Sequence, residues 1–371
     1  MNKTPSHIAI FLRSLAGGGA EKVMVNLSRS FVEKGLKVDL VLTRIKATYD
    51  AEVHPNVRVV DLQAPKLPTS IPKLTNYLKK EQPFALLSAL HYPCEIALWA
   101  KRLAGVSTRI IVSEHNTLSV EAKRLPQLTA RLTPIAAKLF YPWADGIIAV
   151  SQGVATDLAN VTKIPQERIK VIYNPVVTPD IEEKAKEPVE HPWFASGQPP
   201  VILAVGRLIA QKDYPTLIRA FAKVLKQRKA KLLILGSGQE REQLNNLVRE
   251  LDIENHVGWI NFVSNPYAYM ARSALLALSS AWEGFGNVLV EAMASGTPVV
   301  STNCPSGPAE ILDNGKYGEL VPVGDSEAMA AAILRVLAGD YKKVDRTWLQ
   351  QFTLEYATQK YLEVLGVSKT N

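Results

Sequence analysis

Cysteine is close to absent: the 371 residues include two, Cys94 and Cys304. Two thiols so far apart supply neither a disulfide framework nor a zinc ligand set, and they agree with a reducing compartment. Both are expected to be buried as small hydrophobes. Long apolar runs are missing as well: no stretch approaches the roughly eighteen residues of a membrane-spanning helix. The opening I-A-I-F-L run is too short for a secretory segment and leads straight into glycines. The chain is therefore expected in the cytoplasm. The dinucleotide fingerprint G-x-G-x-x-G also fails twice. After Gly17-Gly18-Gly19 its third glycine position holds Lys22, and Gly236-Ser237-Gly238 is followed by Glu240, Arg241 and Glu242. A nicotinamide-dependent hydride transfer is disfavoured on that ground.

Hydrophobic residues make up 47% of the chain and charged residues 21%, a balance that excludes a disordered chain and allows sizeable cores. At about 150 residues per domain, the length suggests two domains. The net charge of +8 is unevenly spread: residues 1–180 hold 23 Lys/Arg against 14 Asp/Glu, and residues 181–371 hold 20 against 21. This division argues against nucleic-acid binding and points to one face directed at something anionic, such as phospholipid or diphosphate. Ordinary surface variation is the plainer alternative.

Short aliphatic runs alternate with helix-period segments in both halves, the pattern of parallel sheets with crossover helices. Strands are predicted at 7–13, 38–42, 57–61, 84–88, 108–113, 146–150 and 169–173, with helices beginning near Ala20, Ser70, Pro93, Leu118 and Gln152. A second set follows at 201–205, 231–235, 257–262, 274–278, 299–302 and 318–321. The fold class is α/β, with two Rossmann-like, doubly wound parallel-sheet domains at 1–175 and 200–353. Residues 176–199, rich in proline and glutamate, read as a linker. Past Asp345, Trp348, Leu349, Phe352, Tyr356, Tyr361, Leu362 and Leu365 recur at helical spacing, so an amphipathic C-terminal helix, 354–371, is expected to pack back on the first domain.

Four motifs carry chemistry. Gly18 and Gly19 follow a strand and open a helix, where backbone amides and the helix dipole suit a phosphate; a plain tight turn is the alternative. Gly236 ends a strand and shapes a turn beside a nucleotide base, or is no more than a turn. Gly206-Arg207 and Lys212 flank a loop at a strand end, where a guanidinium clamps two phosphate oxygens and an ammonium follows as a mobile charge. The most specific stretch sets Glu283 at the start of a glycine-rich loop, Gly284-Phe285-Gly286, and Glu291 in a helix beginning near Asn287-Val288. Loop amides, a helix N-terminus and two carboxylates can converge there on a phosphorylated sugar.

Together these stretches resemble the retaining glycosyltransferases of family 4, which have the GT-B fold, and the resemblance covers nearly the whole chain. It implies two Rossmann-like domains facing a cleft, an acceptor domain first and a nucleotide-sugar domain second. It also implies retention of configuration with no cofactor and no metal; the sequence has no Asp-x-Asp triplet, the usual metal-diphosphate motif of the other main glycosyltransferase fold. Carried over, Arg207 and Lys212 resemble the diphosphate clamp, Glu291 the carboxylate on the ribose, and Glu283 the one beneath the donor sugar. Gly284, Phe285, Gly286 and Asn287, with Val288, resemble the backbone contacts to sugar and phosphate, and Gly18 and Gly19 the first-domain loop near the diphosphate. Gly206 and Gly236 join the donor set. His115, in S-E-H-N, resembles a histidine near the donor sugar, while His91 and Asn116 belong to the acceptor side.

The expected reaction moves a sugar from a nucleotide diphosphate, uridine by default, to a glycan or lipid-linked acceptor by front-face substitution. A sugar-nucleotide epimerase of the same architecture is the alternative. Residues 123–143 carry four cations, no acid and a stripe of Leu125, Leu128, Leu132, Ile135 and Leu139. That combination suits an anionic membrane surface; a helix packed into the core is the competing reading.

Overall fold

A computed structural model describes residues 7–15, 18–45, 52–125 and 127–367. The chain divides into two compact units, Met1–Pro175 with Gln351–Asn371, and Val176–Gln350. In the first unit the strands are β1 (His7–Leu12), β2 (Lys37–Leu42), β3 (Arg58–Asp61), β4 (Ala85–Ala89), β5 (Arg109–Glu114), β6 (Gly146–Ala149) and β7 (Ile169–Val171). They form one parallel sheet in the order β3-β2-β1-β4-β5-β6-β7. Between them run α1 (Gly19–Glu33), α2 (Ser70–Glu81), α3 (His91–Ala104), α4 (Leu118–Arg124), α5 (Leu128–Phe140) and α6 (Gln152–Thr162). The central strands are continuous aliphatic runs, with Ile8 to Leu12 wholly buried, because a parallel sheet is covered on both faces.

The second unit opens with α7 (Ile181–Lys186) and repeats the scheme: β8 (Val201–Val205), α8 (Tyr214–Leu225), β9 (Lys231–Leu235), α9 (Arg241–Glu250), β10 (Val257–Ile260), α10 (Tyr267–Arg272), β11 (Leu275–Leu278), α11 (Asn287–Ala294), β12 (Val299–Thr302), α12 (Pro308–Ile311), β13 (Glu319–Val321), α13 (Ser326–Leu337) and α14 (Arg346–Leu349). Its six strands lie in the order β10-β9-β8-β11-β12-β13. Each unit has its own apolar core. Among the described residues no helix is long and apolar enough to cross a membrane.

Two stretches differ from the sequence reading. Residues 176–199 are part of the second unit: α7 is held there by Arg272, whose guanidinium donates to the Ala185 and Lys186 carbonyls at 3.0 and 3.1 Å. The apolar periodicity from Trp348 to Leu365 is divided between two helices, the second of which starts at Leu354, where the C-terminal helix is expected. Trp348 is anchored in the second unit through Nε1 to the Ile311 carbonyl at 2.8 Å. A turn at Gln350–Phe352 and an N-cap at Thr353 then start α15 (Leu354–Leu365) in the first unit. There Thr358 Oγ1 donates to Ser30 Oγ at 2.9 Å, and Ala357, Tyr361 and Leu365 join the core. Gly366 caps the helix, and residues 368–371 lie outside those described.

Candidate functional site

Ligands of open parallel sheets bind outside the carboxyl ends of the strands where the strand order reverses. In the second unit that point lies between β8 and β11, and the predicted donor residues occupy the loops that follow these two strands. The loop after β8 passes through Gly206 and Arg207 to a tight turn at Ala210–Lys212. The β9 turn presses against it: Leu208 N–H donates to the Ser237 carbonyl at 2.9 Å, and a Cβ on Gly236 would lie 1.9 Å from the Gly206 carbonyl oxygen. Glycine at 236 is thus required by this approach of two backbones.

Lys212 and Glu283 meet. Nζ lies 2.5 Å from Oε1, with side chains 16% and 8% exposed. Ser280 Oγ donates to the same oxygen at 2.6 Å, and Thr302 Oγ1 donates to the Ser280 carbonyl at 2.6 Å. The two loops are tied further by Gln211 Nε2 to the Trp282 carbonyl at 3.0 Å and by Ser279 Oγ to the Lys212 carbonyl at 2.7 Å. Burial, aided by the Glu283 charge, pushes the Cys304 thiol up to about 12. Arg207 is exposed, and among the described residues no carboxylate lies within ion-pairing distance of it.

Gly284, Phe285, Gly286 and Val288 are buried, whereas Asn287 and Glu291 are half-buried. Gly286, in the left-handed region at φ 103°, turns the loop into α11, so the first amides of that helix emerge beside Glu283. Sequence reasoning missed two contributors. Ser280 fixes the Glu283 carboxyl, and no motif marks it. Gly307 backs the loop: a Cβ there would fall 1.7 Å from the Phe285 carbonyl oxygen.

In the first unit the order reverses between β1 and β4. Gly18 is the N-cap of α1 and Gly19 its first residue; a Cβ on Gly18 would meet the Glu21 carboxylate at 2.1 Å. Gly17 lies outside the described residues. Strands β4 and β5 pair with Ala89 opposite Ser113, so His91 and His115 each stand two residues beyond that pair, on neighbouring strand ends. His115 is 7% exposed, with Nε2 3.1 Å from Ser113 Oγ, which in turn lies 3.3 Å from Tyr361 Oη of α15. Burial lowers its pKa to about 3, so the imidazole is neutral.

Glu114, also missed, supports this corner. It is fully buried, its Oε1 accepts from the His115 and Asn116 amides at 3.0 and 3.2 Å, and Tyr141 Oη donates to Oε2 at 2.8 Å. Burial pushes its carboxyl up to about 8. Asn116, half-buried, follows on the same loop. Among the described residues no three His, Cys, Asp or Glu side chains gather as metal ligands.

Two doubly wound units with charged, glycine-rich loops at their switch points define an α/β protein built around ligands at strand ends. Known proteins agree. The description "Glycosyl transferases group 1" matches residues 186–348, and "Glycosyltransferase Family 4" matches residues 17–179. The chain is 32% identical over 361 residues to N-acetylgalactosamine-N,N'-diacetylbacillosaminyl-diphospho-undecaprenol 4-alpha-N-acetylgalactosaminyltransferase of Campylobacter jejuni, covering 93% of this chain and 95% of that protein. It is 26% identical over 361 residues to the lipopolysaccharide core biosynthesis glycosyltransferase LpsE of Rhizobium meliloti, covering 94% and 96%. Among solved structures, Anabaena HepE in complex with UDP-glucose shares the fold at TM-score 0.80 and 22% identity, over 97% of this chain and 99% of that one. The chain belongs to the family 4 glycosyltransferases and has the GT-B fold.

Proposed function

We propose that this enzyme transfers a hexosyl or N-acetylhexosaminyl group from a UDP-sugar to a hydroxyl of a lipid-linked glycan, with retention of configuration and no metal requirement. The observation that carries the reading is the Lys212–Glu283 pair held at the β8/β11 switch point, beside the exposed Arg207 and the start of α11. With a donor bound, Lys212 and Arg207 face its diphosphate, Glu283 is released to the sugar hydroxyls, and Glu291 takes the ribose. The acceptor oxygen forms its bond to the anomeric carbon on the face from which the diphosphate departs. The bond from that carbon to the diphosphate breaks, and the acceptor's proton passes to the leaving oxygen. The two cations and the α11 amides stabilise the charge that develops there. In the first unit His115, kept neutral by burial, is available as a hydrogen-bonding group. A lipid-linked acceptor is supported by the Campylobacter relative, whose name specifies a diphospho-undecaprenol substrate.

Arg207→Ala and Lys212→Ala should each lower turnover by on the order of a hundredfold or more, the scale seen when a transition-state charge partner is removed. UDP release in the presence of acceptor measures this, and unchanged kinetics in both variants would overturn the assignment. Donor incubated alone separates the epimerase alternative, which would yield an epimerised sugar nucleotide.

The acceptor's lipid fits a second feature, the outer face of α5. This helix packs through the small residues Ala130, Thr133 and Ala137, which turns Leu128, Leu132, Ile135 and Leu139 outward at 70, 50, 57 and 58% exposure. Leu125 precedes the helix and is half-buried. Lys123, Arg124, Arg131 and Lys138 are all exposed in the same segment, and Arg102 lies over the Trp143 ring, which packs with Trp99 and Phe140. Outward aliphatic side chains flanked by cations match the acyl boundary and headgroups of an anionic bilayer, so α5 is read as a peripheral contact on the cytoplasmic face. The protein should sediment with phosphatidylglycerol vesicles, and Leu132→Glu with Ile135→Glu should weaken this tenfold or more. Equal binding by wild type and double variant would remove α5 from the membrane.

A further inference from the structure

The carboxyl edge of the first sheet holds two buried side-chain atoms with no hydrogen-bond partner among the described residues. Strand β4 feeds α3 through Leu90, whose backbone stands at φ 72°, ψ 144°, a region that glycine enters freely and a leucine does not. Strain of this kind costs about 1–3 kcal/mol and persists where the surrounding structure enforces a particular placement. The placement it produces is His91 as the first residue of α3, at the switch point beside β1.

One turn later comes Glu95, on the same face of the helix by its i, i+4 spacing. His91 Nδ1 and Glu95 Oε1 are both shut off from solvent and lack a hydrogen-bond partner among the described residues. Burial lowers the imidazole to about 4 and pushes the carboxyl up to about 7. The His91 ring is braced edge-on by Tyr92 with centroids 4.0 Å apart, and Tyr92 Oη accepts from Thr133 Oγ1 of α5 at 3.4 Å. An unmatched buried donor or acceptor costs about 1–3 kcal/mol. Two of them, one turn apart on one helix face and beside a strained junction, have an explanation if a ligand completes them.

We propose that His91 and Glu95 form the acceptor-sugar subsite, in which the imidazole Nδ1 and the carboxyl Oε1 hydrogen-bond two hydroxyls of the acceptor's terminal sugar. The proposal rests on the reading of this chain as a transferase to a glycan acceptor, and it assigns Glu95, which no motif marked. Cβ atoms at i and i+4 lie about 5–6 Å apart, a span that matches neighbouring ring hydroxyls better than a single phosphate. A neutral imidazole and a carboxyl that burial shifts towards its protonated form also suit a neutral ligand: both accept hydrogen bonds, and in their neutral forms each can donate one.

The test uses the full chain and two ligands in sequence. UDP affinity is measured by calorimetry; with UDP bound, methyl α-glycosides of galactose, glucose and their N-acetylated counterparts are titrated by saturation-transfer NMR. Glu95→Gln and His91→Gln should hold UDP within twofold of wild type and unfold at the wild-type temperature, yet lose tenfold or more in affinity for the glycoside that wild type binds. Both variants binding that glycoside as wild type does would overturn the subsite, as would wild type that binds UDP and none of the glycosides. Wild type that fails to bind UDP would overturn the donor reading beneath it.

Discussion

The carboxyl edges of the two sheets are built in opposite ways. In the second unit every predicted donor loop is tied to a neighbour: Lys212 to Glu283, Glu283 to Ser280, and Gly236 against Gly206. In the first unit the corresponding edge keeps a neutral His115, a Glu114 carboxyl pushed up to about 8 by burial, and two buried polar atoms without hydrogen-bond partners among the described residues, and it carries a helix with its aliphatic side outward. The difference teaches where specificity resides. On the proposed function, a nucleotide diphosphate of fixed charge and shape meets a preorganised cradle at little cost in reorganisation. On the same proposal, a neutral glycan on a lipid would be held by hydrogen bonds and by the surface that presents it, and a site for it would leave those groups unmatched until it arrives.

Breaking the cradle should have the largest effect. Gly307 stands at φ 96°, and a Cβ there would lie 1.7 Å from the Phe285 carbonyl. Gly307→Ala must push the Gly284–Gly286 loop away or adopt a strained backbone, a loss of about 3 kcal/mol. At about 2–4 °C per kcal/mol for a unit of this size, calorimetry should show the second unit's transition falling by roughly 6–12 °C. A variant with wild-type Tm would show that the loop is looser than its contacts imply, and the contrast between the two edges would shrink with it.

The comparison also explains which features were legible in the sequence. The strands were, because parallel strands buried on both faces are aliphatic runs: the predicted 201–205 and 231–235 are β8 and β9. The donor cradle was legible through charged residues and glycines at strand ends. The orientation of α5 was not. An aliphatic stripe ordinarily faces a core, but here Ala130, Thr133 and Ala137 supply the small surface that packs against α3, α4 and α6, and the stripe is left outside. Glu114 was hidden because it extends β5 by one residue beyond the apolar run, and a charged residue there reads as the start of a loop. Ser280 is one of many serines, and its role exists only through the position of Glu283. Glu95 had a faint signal in its spacing from His91, indistinguishable from a solvated helix position without knowledge of burial.

The first unit's edge makes a sharper prediction through pH. The Glu114 carboxyl titrates at about 8 in the fold against an ordinary 4.5, so the native state holds the proton more tightly than the unfolded chain. Its contribution to stability is therefore fully present below about 4.5 and declines as pH rises to about 8. Glu114→Gln keeps an acceptor for the His115 and Asn116 amides but cannot ionise. It should match wild type near pH 4.5 and gain relative Tm up to pH 8.5, whereas Glu114→Ala, which strands two amides and the Tyr141 hydroxyl, should lie about 1–3 kcal/mol below Glu114→Gln at every pH. A Gln–wild-type difference that stays constant with pH would contradict a raised Glu114 pKa.

The smallest effect tests whether α15 belongs to the first unit. Thr353 Oγ1 accepts from the Tyr356 amide at 3.3 Å, the side-chain cap of that helix. Removing it in Thr353→Ala costs about 1 kcal/mol, which corresponds to roughly fivefold faster exchange of the α15 amides if they open locally. Because Ala357, Tyr361 and Leu365 lie in the first unit's core, the loosening should extend to α1 and to β5, where Tyr361 Oη meets Ser113 Oγ and through it His115. Helix α13 in the second unit should keep its protection. Exchange that rises equally in α13 would mean that the tail stabilises both units alike. Exchange confined to α15 and the His115 corner would make the C-terminal helix a support of the first sheet's carboxyl edge, through the same hydroxyl that steadies the buried imidazole.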